Sequence, residues 1–561
     1  MAEYKAWYQR YPDMFEEECE EMRKRSFSLD QSAFAEKCVT FAGPSSIEPD
    51  LIFRVEYPDS FPSKPPRVST PENWHILPRH HSPHSREICT FGLNQHRWSA
   101  HFNGTAAIDE AEHVIRDMLR VNTEQGDRGD LIDDVPEPIT VSYNYQSVTS
   151  ILVPPAIAKI AKTMAVGDTA NFHILFKTWP RMTVGRMQPG RGVVSEFRFG
   201  KTIVKSEEFF LNMVAGGIDV NGPIVRLNSA PPNFTLATEF NSWLKEIGID
   251  RRDWMVFVFP EQSGTADSER LAWIVFRSRG DKFVEPLRTF IVDDVGGNPR
   301  IPKLQALAEK KVVLVGCGSM GSKIAVALAA TGVESFGIVD FDFMEPANSV
   351  RHELGVESFG IPKPNALQRR LIEANPRVWN KVEVSDLLIG QTKRTGKEEL
   401  FHGILASASL VIDSTGDHGV SRFLNDLCSE LNVPQIYASV TNGAWSGEVI
   451  RVIPRRTACW LCWLWEYENQ RPSGEPAPGP GVFAPGCDHP TFTGTTYDVG
   501  IVANLASSLA VDTLLIEDEN RSHFNGDYLR WQLKDANGLF VPKIEVLPIH
   551  KRNDCRLCET R

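Results

Sequence analysis

Apolar residues are spaced differently along the chain, and the spacing predicts its elements. Residues 312–315 (VVLV) are four consecutive apolar residues, three of them β-branched, which suits a parallel strand covered on both faces. Further strands are expected at residues 337–341, 410–413 and 435–438, with an apolar helix around residues 499–515. Strand, helix and strand in that order predict a doubly wound, Rossmann-like α/β domain over residues 299–561.

The opening segment, residues 1–134, reads as α+β. A helix is expected over residues 6–24, an alternating strand at residues 51–57 (LIFRVEY), and a rigid bend in YPDSFPSKPPRV, where Phe61, Pro62, Pro65 and Pro66 exclude regular helix or central strand. Ala106, Ile108, Ala111, Val114, Ile115, Met118 and Leu119 then repeat at helical spacing. Residues 135–298 alternate at 170–176, 255–259 and 271–276, which predicts an α/β or α+β linker domain, and no catalytic motif stands there. The stretch GGNPRIP, residues 296–302, reads as a joint.

A chain of 561 residues is too long for one core, so this multidomain reading is the natural one. No apolar run reaches the roughly 18 residues of a membrane span. The charged amino terminus lacks the apolar core of a signal peptide, and a cytoplasmic location is expected. A net charge of −12 argues against a general nucleic-acid-binding surface. In that setting the ten cysteines read as metal or catalytic thiols before disulfides.

The chemistry starts at KKVVLVGCGSMGSK. Gly316, Gly318 and Gly321 form GxGxxG between strand and helix, where glycines permit a tight turn and close phosphate approach, and the helix N-terminus offers unpaired N–H groups. Asp340 and Asp342 follow at the tip of the second strand, where a carboxylate can hold ribose hydroxyls of NAD or ATP alike. Asn348, Arg351 and Lys363 lie just beyond, and such cations suit a triphosphate better than a hydride carrier. Cys459-x-x-Cys462 and Cys555-x-x-Cys558 are two knuckles with the thiolate count of a structural Zn²⁺ site. Cys487 stands apart in the Pro/Gly-rich stretch 471–490, beside Asp488 and His489, and a thiol on such a loop can reach an activated carboxyl group. Cys89 follows a histidine-rich approach and precedes Trp98. Cys19, Cys38, Cys317 and Cys428 are expected to be structural, in helices or the glycine turn.

The frame from Asp340 through Asn348 and Arg351 to Lys363 after a GIP turn resembles the ATP site of ubiquitin-activating (E1-type) enzymes and their bacterial ThiF/MoeB relatives. The resemblance implies Asp340 for ribose, Asn348 and Arg351 for phosphates, and Lys363 for phosphate and the incoming carboxylate. It also implies Mg²⁺ at an aspartate in a DxTD pattern. This chain reads DSTGD, so Asp413 matches the start, Gly416 stands where the acid belongs, and Asp417 is the displaced candidate ligand. The same relatives hold zinc on four cysteines, and in the resemblance Cys487 is the thioester cysteine.

Residues 1–134 resemble a ubiquitin-conjugating (E2-type) domain, with Cys89 as the residue that receives the acyl group. The HPN triplet of that family is absent; His80, His81 and His84 occupy the approach, and His81 is the candidate for the positioning role. The two ends together resemble the bacterial E2-E1 fusions of antiphage operons, particularly the CD-NTase-associated fusions of CBASS systems. What that implies is ATP-dependent adenylation of a protein's carboxy-terminal glycine, a thioester on Cys487, transfer to Cys89 and conjugation to a lysine. The implied substrate is the CD-NTase itself or a ubiquitin-like protein. A homodimer is expected, with Arg300 a candidate for acting on the neighbouring subunit's ATP site. Two rivals remain: an adenylyltransferase for sulfur-carrier activation, which does not need Cys89, and a nucleotide-regulated binding scaffold.

Overall fold

The computed structural model describes residues 5–48, 50–75, 77, 80–82, 84–90, 98–99, 101–123, 139–178, 189–262, 269–292, 304–389, 396–469, 494–519, 522–534 and 539–558. The chain divides into two compact units, Met1–Val295 and Gly296–Arg561.

The first unit opens with α1 (Trp7–Arg10) and α2 (Pro12–Lys24) rather than the single helix expected over residues 6–24. The break falls at Tyr11 (φ −130°, ψ 67°), because Pro12 drives its predecessor out of the helical region and carries no N–H. Then come β1 (Ser28–Leu29), α3 (Gln31–Ala35), β2 (Thr40–Pro44), β3 (Ile52–Glu56), β4 (Arg67–Ser69) and β5 (Glu87–Ile88), followed by α4 (Gly104–Thr123). The strands form an antiparallel meander in sequence order. Phe53 and Val55 of β3 point into a core that Ala107, Ile108, Ala111 and Ile115 of α4 close. Buried Glu18 fastens α2 to the start of α4, accepting from Tyr57 Oη at 2.5 Å and from the Gly104 N–H at 2.8 Å. Cys38 lies beyond α3 and is exposed, so the expectation of a helical position fails: α3 already ends at Ala35.

The same unit continues with β6 (Thr149–Val153), α5 (Pro155–Ala161), β7 (Thr169–Thr178), β8 (Gly190–Phe199), β9 (Thr202–Lys205), α6 (Glu208–Asn212), β10 (Ile218–Arg226), α7 (Ala237–Glu246), β11 (Trp254–Gln262), β12 (Glu269–Arg279) and β13 (Phe283–Ile291). The sheet order is β6-β13-β12-β11-β10-β7-β8-β9, and β6 also pairs with β8, so the sheet closes on itself as a barrel with β9 flanking β8. The continuous apolar run in β11 follows from burial on both faces. Val256 and Val258 enter one core with α5, while Met255, Phe257 and Phe259 enter another beneath Phe240 and Leu244 of α7.

The second unit contains β14 (Lys311–Val315), α8 (Ser319–Thr331), β15 (Ser335–Val339), α9 (Lys363–Ala374), β16 (Val382–Ser385), α10 (Lys397–Ala406), β17 (Leu410–Asp413), α11 (His418–Leu431), β18 (Gln435–Val440), β19 (Ser446–Val452), α12 (Trp460–Asn469), α13 (Thr496–Leu514), β20 (Tyr528–Lys534) and β21 (Phe540–Leu547). Its sheet runs β16-β15-β14-β17-β18-β19-β20-β21, parallel as far as β18 and antiparallel beyond. Strand order reverses between β14 and β17, and in open α/β sheets ligands bind outside the carboxyl ends of the strands at such a point.

Candidate functional site

β14 is followed directly by Gly316, whose φ of 89° lies in the left-handed region that favours glycine. The turn is then tied down from both neighbouring strands. Asp340, one residue past β15, accepts from the Cys317 N–H at 2.5 Å through Oδ2 and from the Asp342 N–H at 2.9 Å through Oδ1. Ser414, one residue past β17, donates through Oγ to the Gly316 carbonyl at 2.8 Å. The result is a rigid glycine turn at the head of α8, whose unpaired N–H groups favour an anion.

A cavity of about 440 Å³ opens here, within the roughly 300–1,000 Å³ range of small-molecule sites. Its lining includes Gly318, Asn348, Arg351, His352 and Lys363 from the glycine turn and the chain after β15, and Tyr437, Thr441, Glu448, Trp463 and Tyr467 from β18, β19, α12 and the residue after β18. Lys363 is the first residue of α9, a helix whose start Pro364 favours, and its ammonium pairs with the Asp342 carboxylate. Asn348 is fixed within a short 3₁₀ turn by accepting from the Glu345 N–H at 3.1 Å. Of the residues expected to bind nucleotide, Gly318, Asn348, Arg351 and Lys363 line the cavity, whereas Gly316, Gly321, Asp340 and Asp342 are not lining residues: Asp340 braces the turn and Asp342 pairs with Lys363. Asp417 is the N-cap of α11, accepting through Oδ1 from the Gly419 and Val420 N–H groups at 2.7 and 3.2 Å, and it is not a lining residue. Asp413 is wholly buried; desolvation raises its pKa, and it accepts from Ser421 Oγ at 2.6 Å and Thr415 Oγ1 at 2.8 Å.

His352 is a lining residue that sequence reasoning passed over. Its Nδ1 accepts from the Leu354 N–H at 3.2 Å, so the proton sits on Nε2, which donates to the Cys317 carbonyl at 2.6 Å. Burial pulls its pKa down to about 4, which keeps the ring neutral. Glu448 was missed as well. The sequence of β19, SGEVIRV, is mixed, and only the burial of every residue of that strand marks Glu448 as unusual.

The four paired cysteines converge. Cys459 Sγ lies 3.8 Å from Cys462 Sγ and 3.5 Å from Cys555 Sγ, and Cys462 Sγ lies 3.7 Å from Cys558 Sγ. A tetrahedron with zinc–sulfur bonds of about 2.3 Å has edges of about 3.8 Å, so the cluster has the dimensions of a tetrathiolate metal site. The Arg552 N–H donates to Cys462 Sγ at 3.4 Å, the kind of outer contact that orients a metal-binding thiolate.

Residues 292–557 match the family model of the ThiF family. This half of the chain is a ThiF/E1-like adenylation domain. The uncharacterized protein y4oA of Sinorhizobium fredii is 28% identical over 79% of this chain and 79% of its own length, a span that extends beyond the ThiF-matching residues. The sulfur carrier protein ThiS adenylyltransferase of Escherichia coli is 29% identical over 34% of this chain and 70% of that protein. The ubiquitin-like modifier-activating enzyme 5 of Caenorhabditis elegans is 27% identical over 29% of this chain, and the match covers only 39% of that enzyme. No described helix is long and apolar enough to cross a membrane.

The ThiF-like domain also carries Cys487, which with Asp488, His489 and the stretch 471–490 lies outside the described residues, as does Arg300 of the 296–302 joint. In the first unit, Cys89 directly follows β5, is half-buried, and donates its N–H to the His80 carbonyl at 2.8 Å. His81 does not fit the positioning role. It is buried, its Nδ1 accepts from the Leu77 N–H at 3.2 Å, its Nε2 meets Thr70 Oγ1 at 2.9 Å, and desolvation lowers its pKa to about 4. Both ring nitrogens thus serve the core. His84 packs against Tyr143 with ring centroids 4.6 Å apart.

Proposed function

We propose that the chain activates the terminal carboxylate of a protein with ATP and passes the acyl group through two cysteines to an amine. A carboxylate oxygen attacks the α-phosphorus, the bond to the β-phosphate breaks, and pyrophosphate leaves with the electron pair. Lys363 and Arg351 offset the charge that develops, while Asn348 and the glycine turn position the phosphates. The Cys487 thiolate then attacks the acyl carbon and AMP leaves; Cys89 takes the acyl group by thioester exchange, and a lysine amine receives it. Mg²⁺ would neutralise the triphosphate, but Asp417, its candidate ligand from sequence, caps α11 and does not line the cavity, so no residue is assigned to hold it; Zn²⁺ would sit on Cys459, Cys462, Cys555 and Cys558.

One observation carries this reading. The cavity that Arg351 and Lys363 line is also lined by Tyr467 and Val499, which bracket the segment bearing Cys487. Described residues on either side of that segment therefore line the cavity where the adenylate would form. For the first unit, the support is the order of helix, antiparallel meander, cysteine after the last strand and long helix, the order a conjugating-type domain needs. The substrate favoured by the fusion pattern is a CD-NTase in a CBASS antiphage operon, a cytoplasmic setting, with a ubiquitin-like protein second and a homodimer as the assembly.

The ThiS adenylyltransferase likeness favours a second reading, sulfur-carrier activation without conjugation. The test is expression of the full chain with its genomic neighbours, as wild type, Cys89→Ala and Cys487→Ala, followed by non-reducing electrophoresis and mass spectrometry. Cys89→Ala should accumulate a thiol-reducible adduct on Cys487. Normal conjugation by both single variants would sink the transfer route, and adenylate formation unaffected by Cys89→Ala with no conjugate in wild type would favour the sulfur-carrier reading.

A further inference from the structure

The segment that carries Arg351 is strapped to the start of α8 by three contacts. His352 Nε2 donates to the Cys317 carbonyl at 2.6 Å. One residue on, the Glu353 N–H donates to Ser322 Oγ at 3.3 Å and the Glu353 carboxylate pairs with Lys323 Nζ at 3.3 Å, both partners lying on α8. The histidine differs from the other two in what it grips. Cys317 is already held by its N–H, which Asp340 accepts at 2.5 Å, so His352 completes a hold on both backbone groups of one residue. The ring is 8% exposed and its Nδ1 is taken by the Leu354 N–H, which leaves Nε2 to carry the proton that reaches the turn.

The carbonyl so held belongs to the Cys317–Gly318 peptide. That peptide is planar and trans, so its N–H points away from the side on which the carbonyl is gripped. The Gly318 N–H is the first of the donors at the head of α8 that have no partner within the helix, and Gly318 lines the cavity. The turn does not lock this direction by itself. A flip of the peptide would carry the Gly318 φ from −68° to positive values, which glycine adopts without steric cost, and would put a carbonyl oxygen where the N–H had been. We infer that His352 is a positioning residue that keeps the Cys317–Gly318 peptide in the orientation offering the Gly318 N–H to a phosphate and ties the Arg351 segment to that same peptide. This rests on the adenylation reading of the cavity and assigns to it a residue that acts through the backbone of the turn.

The experiment compares ATP with adenosine, which lacks the phosphates, on the full chain by calorimetry. The variants are His352→Leu, with His352→Ala in its place should that chain not fold, and His352→Gln, whose amide N–H and carbonyl can serve the same two partners. His352→Leu should bind ATP at least about fivefold more weakly, the worth of one hydrogen bond, while adenosine affinity stays at the wild-type value, and His352→Gln should restore ATP binding. A purely structural role would weaken both ligands alike. Unchanged ATP affinity in His352→Leu, an equal loss for adenosine, or no rescue by His352→Gln would overturn the assignment and leave the adenylation reading untouched. The expected pattern of binding without any ATP–pyrophosphate exchange, when the chain is expressed with its genomic neighbours, would leave the positioning role standing and remove the adenylation reading instead.

Discussion

Two glycines of the turn separate what the fold needs from what the ligand needs. At Gly321 an added Cβ would lie 2.1 Å from the Gly316 carbonyl oxygen and 2.5 Å from Ser414 Oγ, both well inside the 3.4 Å at which ordinary contact begins. The clashing oxygen is backbone and belongs to the turn itself. Gly321→Ala should therefore cost about 1–3 kcal/mol by overpacking, and at roughly 2–4 °C per kcal/mol for a domain of this size the melting point should fall by roughly 2–12 °C. At Gly318 an added Cβ meets nothing within 4 Å, and its φ of −68° suits any residue. Glycine is preferred over alanine at an N-cap, but alanine restricts the unfolded chain, and the two effects offset to within about 0.5 kcal/mol. The Gly318 methyl group would instead project where a phosphate must approach the head of α8. Gly318→Ala should melt with wild type yet bind Mg·ATP at least about tenfold more weakly, about 1.4 kcal/mol. Thermal melts and isothermal titration calorimetry decide it. Wild-type ATP affinity in Gly318→Ala, or a wild-type melting point in Gly321→Ala, would refute the division.

The cysteine cluster should carry about one zinc per chain, and Cys462→Ser should lose the metal, with elemental analysis as the measurement and a lower melting point of the ThiF-like domain as its consequence. His352 titrates near 4 in the folded chain against about 6.5 unfolded, so its contribution, on the order of 3 kcal/mol, is present above pH 6.5 and is lost as pH falls from there toward 4. Urea midpoints of His352→Gln should consequently fall less steeply than wild type across that window.

The parts of the site that obey local rules were legible from residues alone. Three glycines spaced for a strand–turn–helix, a lysine after GIP and two CxxC knuckles each state their geometry in a few consecutive letters, and the structure brings the glycine turn and Lys363 to one cavity and the four thiols to one cluster. What stayed hidden depends on distant partners. Glu448 reads as an anomaly in a strand until Tyr528, eighty residues later, is seen to hold it. Closure of the barrel rests on β6 pairing with both β8 and β13, a register no local pattern expresses. His81 showed the opposite failure: proximity to Cys89 suggested chemistry, whereas Thr70 and Leu77 commit the ring to the core.

The Lys363–Asp342 pair decides what a phosphate meets when it reaches the turn. The lysine side chain is 10% exposed and the aspartate 50%, so the pair sits at the cavity's edge with its cation inside and its anion half in water. Phosphate arriving at Lys363 must compete with that carboxylate. Asp342→Asn removes the competitor and leaves an ammonium with little solvent, a state that costs stability in the absence of ligand and that a bound phosphate relieves. For a half-exposed partner the competing interaction is worth about 1 kcal/mol, so metal-free ATP should bind Asp342→Asn about fivefold more tightly than wild type in the presence of a chelator, while the ligand-free variant melts lower. Calorimetry with ATP and EDTA measures the first and a thermal melt the second. Equal or weaker binding would mean that Lys363 keeps Asp342 when nucleotide enters, and phosphate neutralisation would then fall to Arg351 and the head of α8.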